Sequence, residues 1–142
     1  MKIAIGSDHA GYRYKEEILA YLRTQGFEVT NYGTDSPESV SYVPFIRQVA
    51  EAVAAGEVDR GIVLGGSGNG EAITANRTAG IRCGLAWNEE SARLTRQHND
   101  ANVLSLGERM MDLETALKLV AIFLETPFEG GRHLERIRQI DA

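Results

Sequence analysis

A chain of 142 residues, 43% hydrophobic and 25% charged, is long enough to bury most of the surface it exposes when unfolded, and has the balance of a water-soluble globular domain. Its formal net charge of −5 excludes binding to nucleic acid or acidic membranes through bulk charge, so an anionic ligand must be held by local donors. The only cysteine, Cys83, excludes an internal disulfide and any cysteine-rich metal site. No apolar run suggests a membrane span and the N-terminus opens on a strand pattern, so residues 1–142 are expected to form one cytoplasmic domain.

Lys2-Ile3-Ala4-Ile5-Gly6 reads as a first strand, and Ser7-Asp8-His9-Ala10-Gly11 as the turn that leaves it. From Tyr12 to Thr24 the spacing of Ile18, Leu19 and Leu22 predicts a helix with Gln25-Gly26 as its stop. Phe27-Glu28-Val29-Thr30 alternates as a second strand, and the polar run from Asn31 to Ser41 predicts a surface loop. Phe45, Val49 and Val53 recur at four-residue intervals in a helix predicted from Tyr42 to Ala55, starting near Pro44 and stopped by Gly56.

The third strand, Ile62-Val63-Leu64, runs into Gly65-Gly66-Ser67-Gly68-Asn69-Gly70-Glu71 and then the helix-compatible Ala72-Ile73-Thr74-Ala75-Asn76. Glycines at such a junction let successive backbone N–H groups face a ligand, and the helix start adds roughly half a positive charge. The loop matches neither the Walker pattern nor GxGxxG. Glu71 would repel a phosphate seated in this nest. One reading therefore has the loop cradle a reacting oxygen while Glu71 moves a proton; the other has Glu71 merely complement the helix dipole.

Ile81 to Ala86 predicts a fourth strand with Cys83 as a small core residue, and Asn88 to Gln97 a helix that Asn88 caps. His98-Asn99-Asp100-Ala101-Asn102 is a polar turn, and Val103 to Leu106 a fifth strand ended by Gly107, with Arg109 just beyond. Leu117, Val120, Ala121 and Leu124 trace an apolar stripe on a helix from Leu113 that Pro127 stops, and Arg132 to Ile140 forms a last helix. Five strands alternating with helices predict a doubly wound, Rossmann-like α/β fold: a three-layer sandwich with a five-stranded parallel sheet and a C-terminal helix. Ligands of such sheets sit outside the carboxyl ends of the strands, which singles out Asp8, His9, Ser67 to Glu71, Asn88 and Arg109.

Each further candidate has a plain structural reading beside the chemical one. Asp8 and His9 suit sugar hydroxyls or a phosphate, or Asp8 caps the first helix and His9 is solvated. His98 and Asn99 offer an acid/base group and an amide clamp, or His98 complements a helix C-terminus. Arg132 and Arg136, four apart on one helix face, repel each other unless an anion or nearby acids such as Glu135 and Asp141 compensate.

Gly6-Ser7-Asp8-His9-Ala10-Gly11, Gly65 to Glu71 with Ala75-Asn76, Arg96 to Asp100, and Gly130-Gly131-Arg132-His133 together resemble the signatures of the type B ribose-5-phosphate isomerases, a family grouped with the galactose-6-phosphate isomerase subunits. The resemblance runs in order over nearly the whole chain. It implies a homodimer or tetramer with active sites shared between chains, no metal or organic cofactor, and interconversion of ribose 5-phosphate and ribulose 5-phosphate through a cis-enediolate. Many members carry a cysteine base where this chain has Gly65; the sequence resembles the branch whose base is a glutamate at the loop's end, here Glu71.

By that resemblance Ser67 and the backbone of Gly66, Gly68, Asn69 and Gly70 hold the enediolate, His98 assists ring opening, Asn99 clamps the substrate and Asp8 binds a ring or hydroxyl oxygen. Tyr42 lines the sugar site. His9, Arg109, Arg132 and Arg136 hold the phosphate, and His98, Asn99 and Arg109 are expected from the partner chain. Ser41-Tyr42-Val43 departs from the Asp-Tyr-Pro of many members, which leaves tetrose 4-phosphate, allose 6-phosphate and galactose 6-phosphate as alternative substrates. A non-catalytic sugar-phosphate or nucleotide-binding module is the reading from another class.

Overall fold

Strands and helices alternate along the chain in the computed structural model, which describes residues 1–142: β1 (Lys2–Ser7), α1 (Tyr12–Thr24), β2 (Glu28–Asn31), α2 (Val43–Ala54), β3 (Arg60–Gly65), α3 (Asn69–Asn76), β4 (Cys83–Leu85), α4 (Glu89–Gln97), β5 (Val103–Gly107), α5 (Leu113–Glu125) and α6 (Arg132–Asp141). Short 3-10 turns at His9–Gly11 and Glu108–Met110 follow β1 and β5. Every strand pairing is parallel and the order is β2-β1-β3-β5-β4, the doubly wound architecture that the alternation predicts. The winding reverses between β1 and β3, so the loops leaving these two strands flank the crevice where sheets of this kind bind ligands.

The two-residue period of the strands divides the core between the two faces of the sheet. Ile3, Ile5, Ile62, Leu64, Leu104 and Leu106 pack on one side against Ile18 and Leu22 of α1 and Leu119 and Phe123 of α5. Ala4, Val63 and Val103 pack on the other against Ile46, Val49 and Val53 of α2 and Ala75 of α3. Each fully buried Val, Leu, Ile or Phe side chain in these layers contributes about 1.5–3 kcal/mol, so both layers fix the strand ends that carry the pocket.

Several expected boundaries shift for identifiable reasons. β4 is shorter than Ile81 to Ala86, because the Arg82 N–H turns to Asn102 Oδ1 at 2.8 Å. At the exposed edge of β4 the Asn76 side chain receives the Cys83 N–H at 2.8 Å and donates to the Cys83 carbonyl at 3.0 Å, standing in for a neighbouring strand. Cys83, expected in the core, sits on this edge strand partly exposed but packed against the α2 side of the core.

The run from Asn31 to Ser41, expected on the surface, begins by extending the sheet: Tyr32 N–H donates to Ile5 O, Ser7 N–H to Gly33 O and Thr34 N–H to Ser7 O, and Gly33 and Thr34 are buried. α3 begins at Asn69, placing Glu71 in its first turn. Asn88 does cap α4, in a reciprocal arrangement with Ser91.

Candidate active site

A cleft of about 530 Å³ opens where β1, β3 and β5 end, lined by Asp8, His9, Ala10, Tyr42, Gly66, Ser67, Gly70, Glu71, Arg109 and Met110. At its floor Glu71 is 4% exposed. Burial pushes its carboxyl up from the ordinary range against the pull of its own backbone N–H, and the Asp8 carboxylate pushes in the same direction. The buried acid is thereby tuned upward, toward the range in which a carboxyl can exchange a proton near neutral pH. It is held in a place that only glycine leaves vacant: a Cβ on Gly65 would overlap the Glu71 carboxylate. Cys83 does not serve as an alternative base, since burial and the Glu71 charge push its thiol up to about 12.

The same economy of space recurs along the loop. The Arg109 guanidinium lies over Gly66, where a Cβ would stand 3.0 Å from Nη1, and the Tyr42 hydroxyl occupies the space a side chain at Gly70 would take. Gly68 turns the chain into α3 with φ +84°, a conformation that favours glycine, and its carbonyl accepts from the buried Ser105 hydroxyl at 2.7 Å. Ser67 Oγ accepts from the Asn69 N–H and the Asn69 side-chain amide, both at 3.2 Å. The next N–H in that first turn, Gly70, lines the cleft with no acceptor inside the chain. The loop therefore offers an oxygen-binding donor beside a buried carboxylate.

Asp8 caps the turn after β1 and also borders the cleft. Its Oδ1 accepts from the Ala10 and Gly11 N–H groups at 3.0 and 3.3 Å, capping the 3-10 turn, while its 7% exposed carboxylate lines the cleft. His9 Nδ1 accepts from the Val40 N–H at 3.2 Å, which leaves Nε2 of the neutral imidazole as a donor at the cleft wall. Arg109, expected from the partner chain, lines the cleft of its own chain: its backbone N–H donates to Gly66 O at 3.0 Å. The adjacency of β3 and β5 places it there, and that pairing is not legible from local sequence.

His98, Asn99, Arg132 and Arg136 lie elsewhere in the chain. His98 caps the C-terminus of α4, stacks on His133 with ring centroids 4.3 Å apart and planes at 15°, and sets Nε2 3.9 Å from Glu129 Oε1. Burial pushes the His133 imidazole down; the His98 and Arg132 charges add to that shift while Glu129 opposes it. Asn99 borders a larger groove of about 590 Å³ along β4 that includes none of the residues around Glu71. Arg132 and Arg136 stand on the exposed face of α6, Arg136 Nη1 donating to the Arg132 carbonyl at 3.4 Å.

His98, Glu129 and His133 bring their donor atoms within 4.8 Å of one another, the grouping best able to meet a metal ion.

Ala10 and Met110 line the cleft although the sequence reading gave them no role. The one sequence signal was the adjacency of Met110 to Arg109 and the short distance of Ala10 from Asp8.

The family model described as Ribose/Galactose Isomerase matches residues 3–140. The chain is 48% identical over 141 residues to the ribose-5-phosphate isomerase B of Escherichia coli strain K12, covering 99% of this chain and 95% of the other. Among solved structures, the ribose-5-phosphate isomerase B of Clostridium thermocellum superposes with a TM-score of 0.98 at 50% identity, over 99% of this chain and 95% of that one. The ribose-5-phosphate isomerase B of Mycoplasma genitalium with bound ribulose-5-phosphate gives 0.96 at 37% identity, over 99% and 93%.

Proposed function

The chain belongs to the ribose/galactose isomerase family, and we propose that it interconverts ribose 5-phosphate and ribulose 5-phosphate through a cis-enediolate with Glu71 as the base. The observation that carries this reading is the Glu71 carboxylate, buried against Gly65 and tuned upward at the floor of a cleft whose wall holds an arginine and a donor-ready histidine.

Glu71 removes the proton from C2 of the open-chain aldose and returns it to C1, and the protonated carboxyl is the form that burial favours between the two steps. The Gly70 N–H, the positive end of α3 and the Ser67 hydroxyl stabilise charge growing on the two reacting oxygens, with Gly66, Gly68 and Asn69 shaping the cradle. Asp8 accepts from a sugar hydroxyl, Tyr42 borders the sugar, and His9 and Arg109 hold the phosphate.

His98, Asn99, Arg132 and Arg136 complete the cleft of a second copy in a homodimer. Their gathering on an exposed region, apart from their own chain's cleft, supports that role. There His98 assists ring opening, Asn99 clamps the sugar and the two arginines meet the phosphate, which removes the repulsion between them.

The test is conversion of ribose 5-phosphate by purified protein in the presence of a chelator, beside Glu71→Gln. Turnover by the unaltered protein with retained sugar-phosphate binding but little turnover in the variant is expected; near-normal turnover in Glu71→Gln would remove Glu71 as the base. Comparing kcat/KM for four-, five- and six-carbon sugar phosphates addresses the departure at Ser41-Tyr42-Val43.

A further inference from the structure

The Arg109 guanidinium is exposed over Gly66, so its reach into the cleft depends on how firmly the Glu108–Met110 turn beneath it is held. Two contacts with distant sequence bracket that turn. On one side of Arg109, Glu108 Oε1 accepts from the Tyr14 N–H at 2.7 Å. On the other, the Tyr14 hydroxyl donates to the Met111 carbonyl at 2.9 Å.

Tyr14 stands third in α1, a helix whose N-cap, Gly11, provides no side-chain hydrogen bond and whose first turn holds no acid. Glu108 therefore supplies the missing cap from 94 residues away, a charge-assisted bond at the positive end of the helix. The turn that precedes α1 is the one bearing Asp8 and His9. One residue, Tyr14, thus joins the strand exit that carries His9 to the strand exit that carries Arg109.

We propose that Glu108 and Tyr14 are positioning residues for the substrate's phosphate: together they fix the separation between Arg109 and His9 across the cleft without touching the ligand. The inference rests on the isomerase reading, and it assigns the pair to anion binding and not to proton transfer. Loss of the brace frees the Arg109 turn while leaving Glu71 in its seat against Gly65, so binding suffers and the chemical step does not.

The test compares Glu108→Ala, Glu108→Gln and Tyr14→Phe with the unaltered protein, measuring kcat and KM for ribose 5-phosphate and competitive inhibition by inorganic phosphate. KM and the phosphate inhibition constant are expected to rise together, about tenfold in Glu108→Ala and about threefold in Tyr14→Phe, with kcat held within about twofold. Glu108→Gln, whose amide oxygen still accepts from the Tyr14 N–H, is expected to stay close to the unaltered protein.

Unchanged KM and phosphate inhibition in the folded variants overturn the proposal. So does a fall in kcat at fixed KM, or a glutamine variant as impaired as the alanine one. Should Glu108→Ala fail to fold, Tyr14→Phe, which removes a single oxygen, decides the matter. If the unaltered protein turns over no sugar phosphate, the isomerase reading falls; weaker binding of inorganic phosphate in the same order of variants, measured by calorimetry, then upholds the brace on its own.

Discussion

The cleft around Glu71 and the cluster around His98 hold similar kinds of side chain, but they are built in opposite ways. In the cleft, the acid is almost completely buried and seated where a glycine leaves room, and the flanking groups rise from adjacent parallel strand ends. In the cluster, two imidazoles stack at the surface beside a single carboxylate, and the arginines of α6 extend into solvent. The first arrangement is complete enough to raise the pKa of a buried carboxyl within one chain. The second is an open set of donors at the surface, which fits the proposal that it completes the cleft of a second copy. Burial separates these roles where residue identity does not.

The sharpest way to break the contrast is to neutralise the buried acid that we propose as the base. Glu71→Gln is expected to lower kcat by about 10²–10⁴-fold while the sugar phosphate still binds, measured by initial rates and calorimetry. Next in size is Gly65→Ala. Its added methyl contests the space of the Glu71 carboxylate, so a loss of about 10²-fold in kcat is expected from a folded protein, because small displacements of a reacting group cost about that much.

Hybrid formation addresses the cluster. Glu71→Gln and His98→Ala proteins, each nearly inactive, are mixed, dissociated and allowed to reassemble. If the cluster completes the partner's cleft, half the dimers carry one intact site and activity recovers to about a quarter of the unaltered value. If His98 serves its own chain, every hybrid site carries one lesion and activity does not return.

The smallest expected effect concerns stability. Because the folded state raises the Glu71 pKa, its proton stabilises the fold fully below the ordinary glutamate range, and that stability is lost as pH rises through the raised value. Glu71→Gln removes the charged form. Its Tm should therefore gain on that of the unaltered protein as pH rises from the ordinary glutamate range through the raised value, with little difference at the acid end. A constant offset across that range would show that Glu71 titrates as it does when unfolded. The acid limb of kcat/KM should likewise lie above the ordinary glutamate range.

The alternation of strands and helices was legible from hydrophobic period, and with it the parallel sheet and the crevice, since each strand with its following helix is a local pattern. Asp8, His9 and the Gly65–Glu71 loop could be placed at strand ends on the same grounds. The overlap of Glu71 with the missing Gly65 side chain, and the seating of Arg109 over Gly66, depend on how β1, β3 and β5 align, which periodicity does not encode. The short edge strand was overestimated because Ile81 looks like a strand residue, whereas the bond from Arg82 to Asn102 that ends the strand spans 20 positions. The Asn31 to Ser41 run misled in the other direction: its polarity signals solvent, yet its first residues supply backbone partners for the end of β1.

Asn76, by engaging both backbone groups of Cys83, closes the outward ladder of β4 at that residue. An edge capped there offers fewer free backbone groups to a strand from a neighbouring molecule, which disfavours growth of a continuous ribbon through β4. A single amide thus guards this edge against fibrous association. Its replacement by alanine would be felt first as a tendency to precipitate, before any change in chemistry.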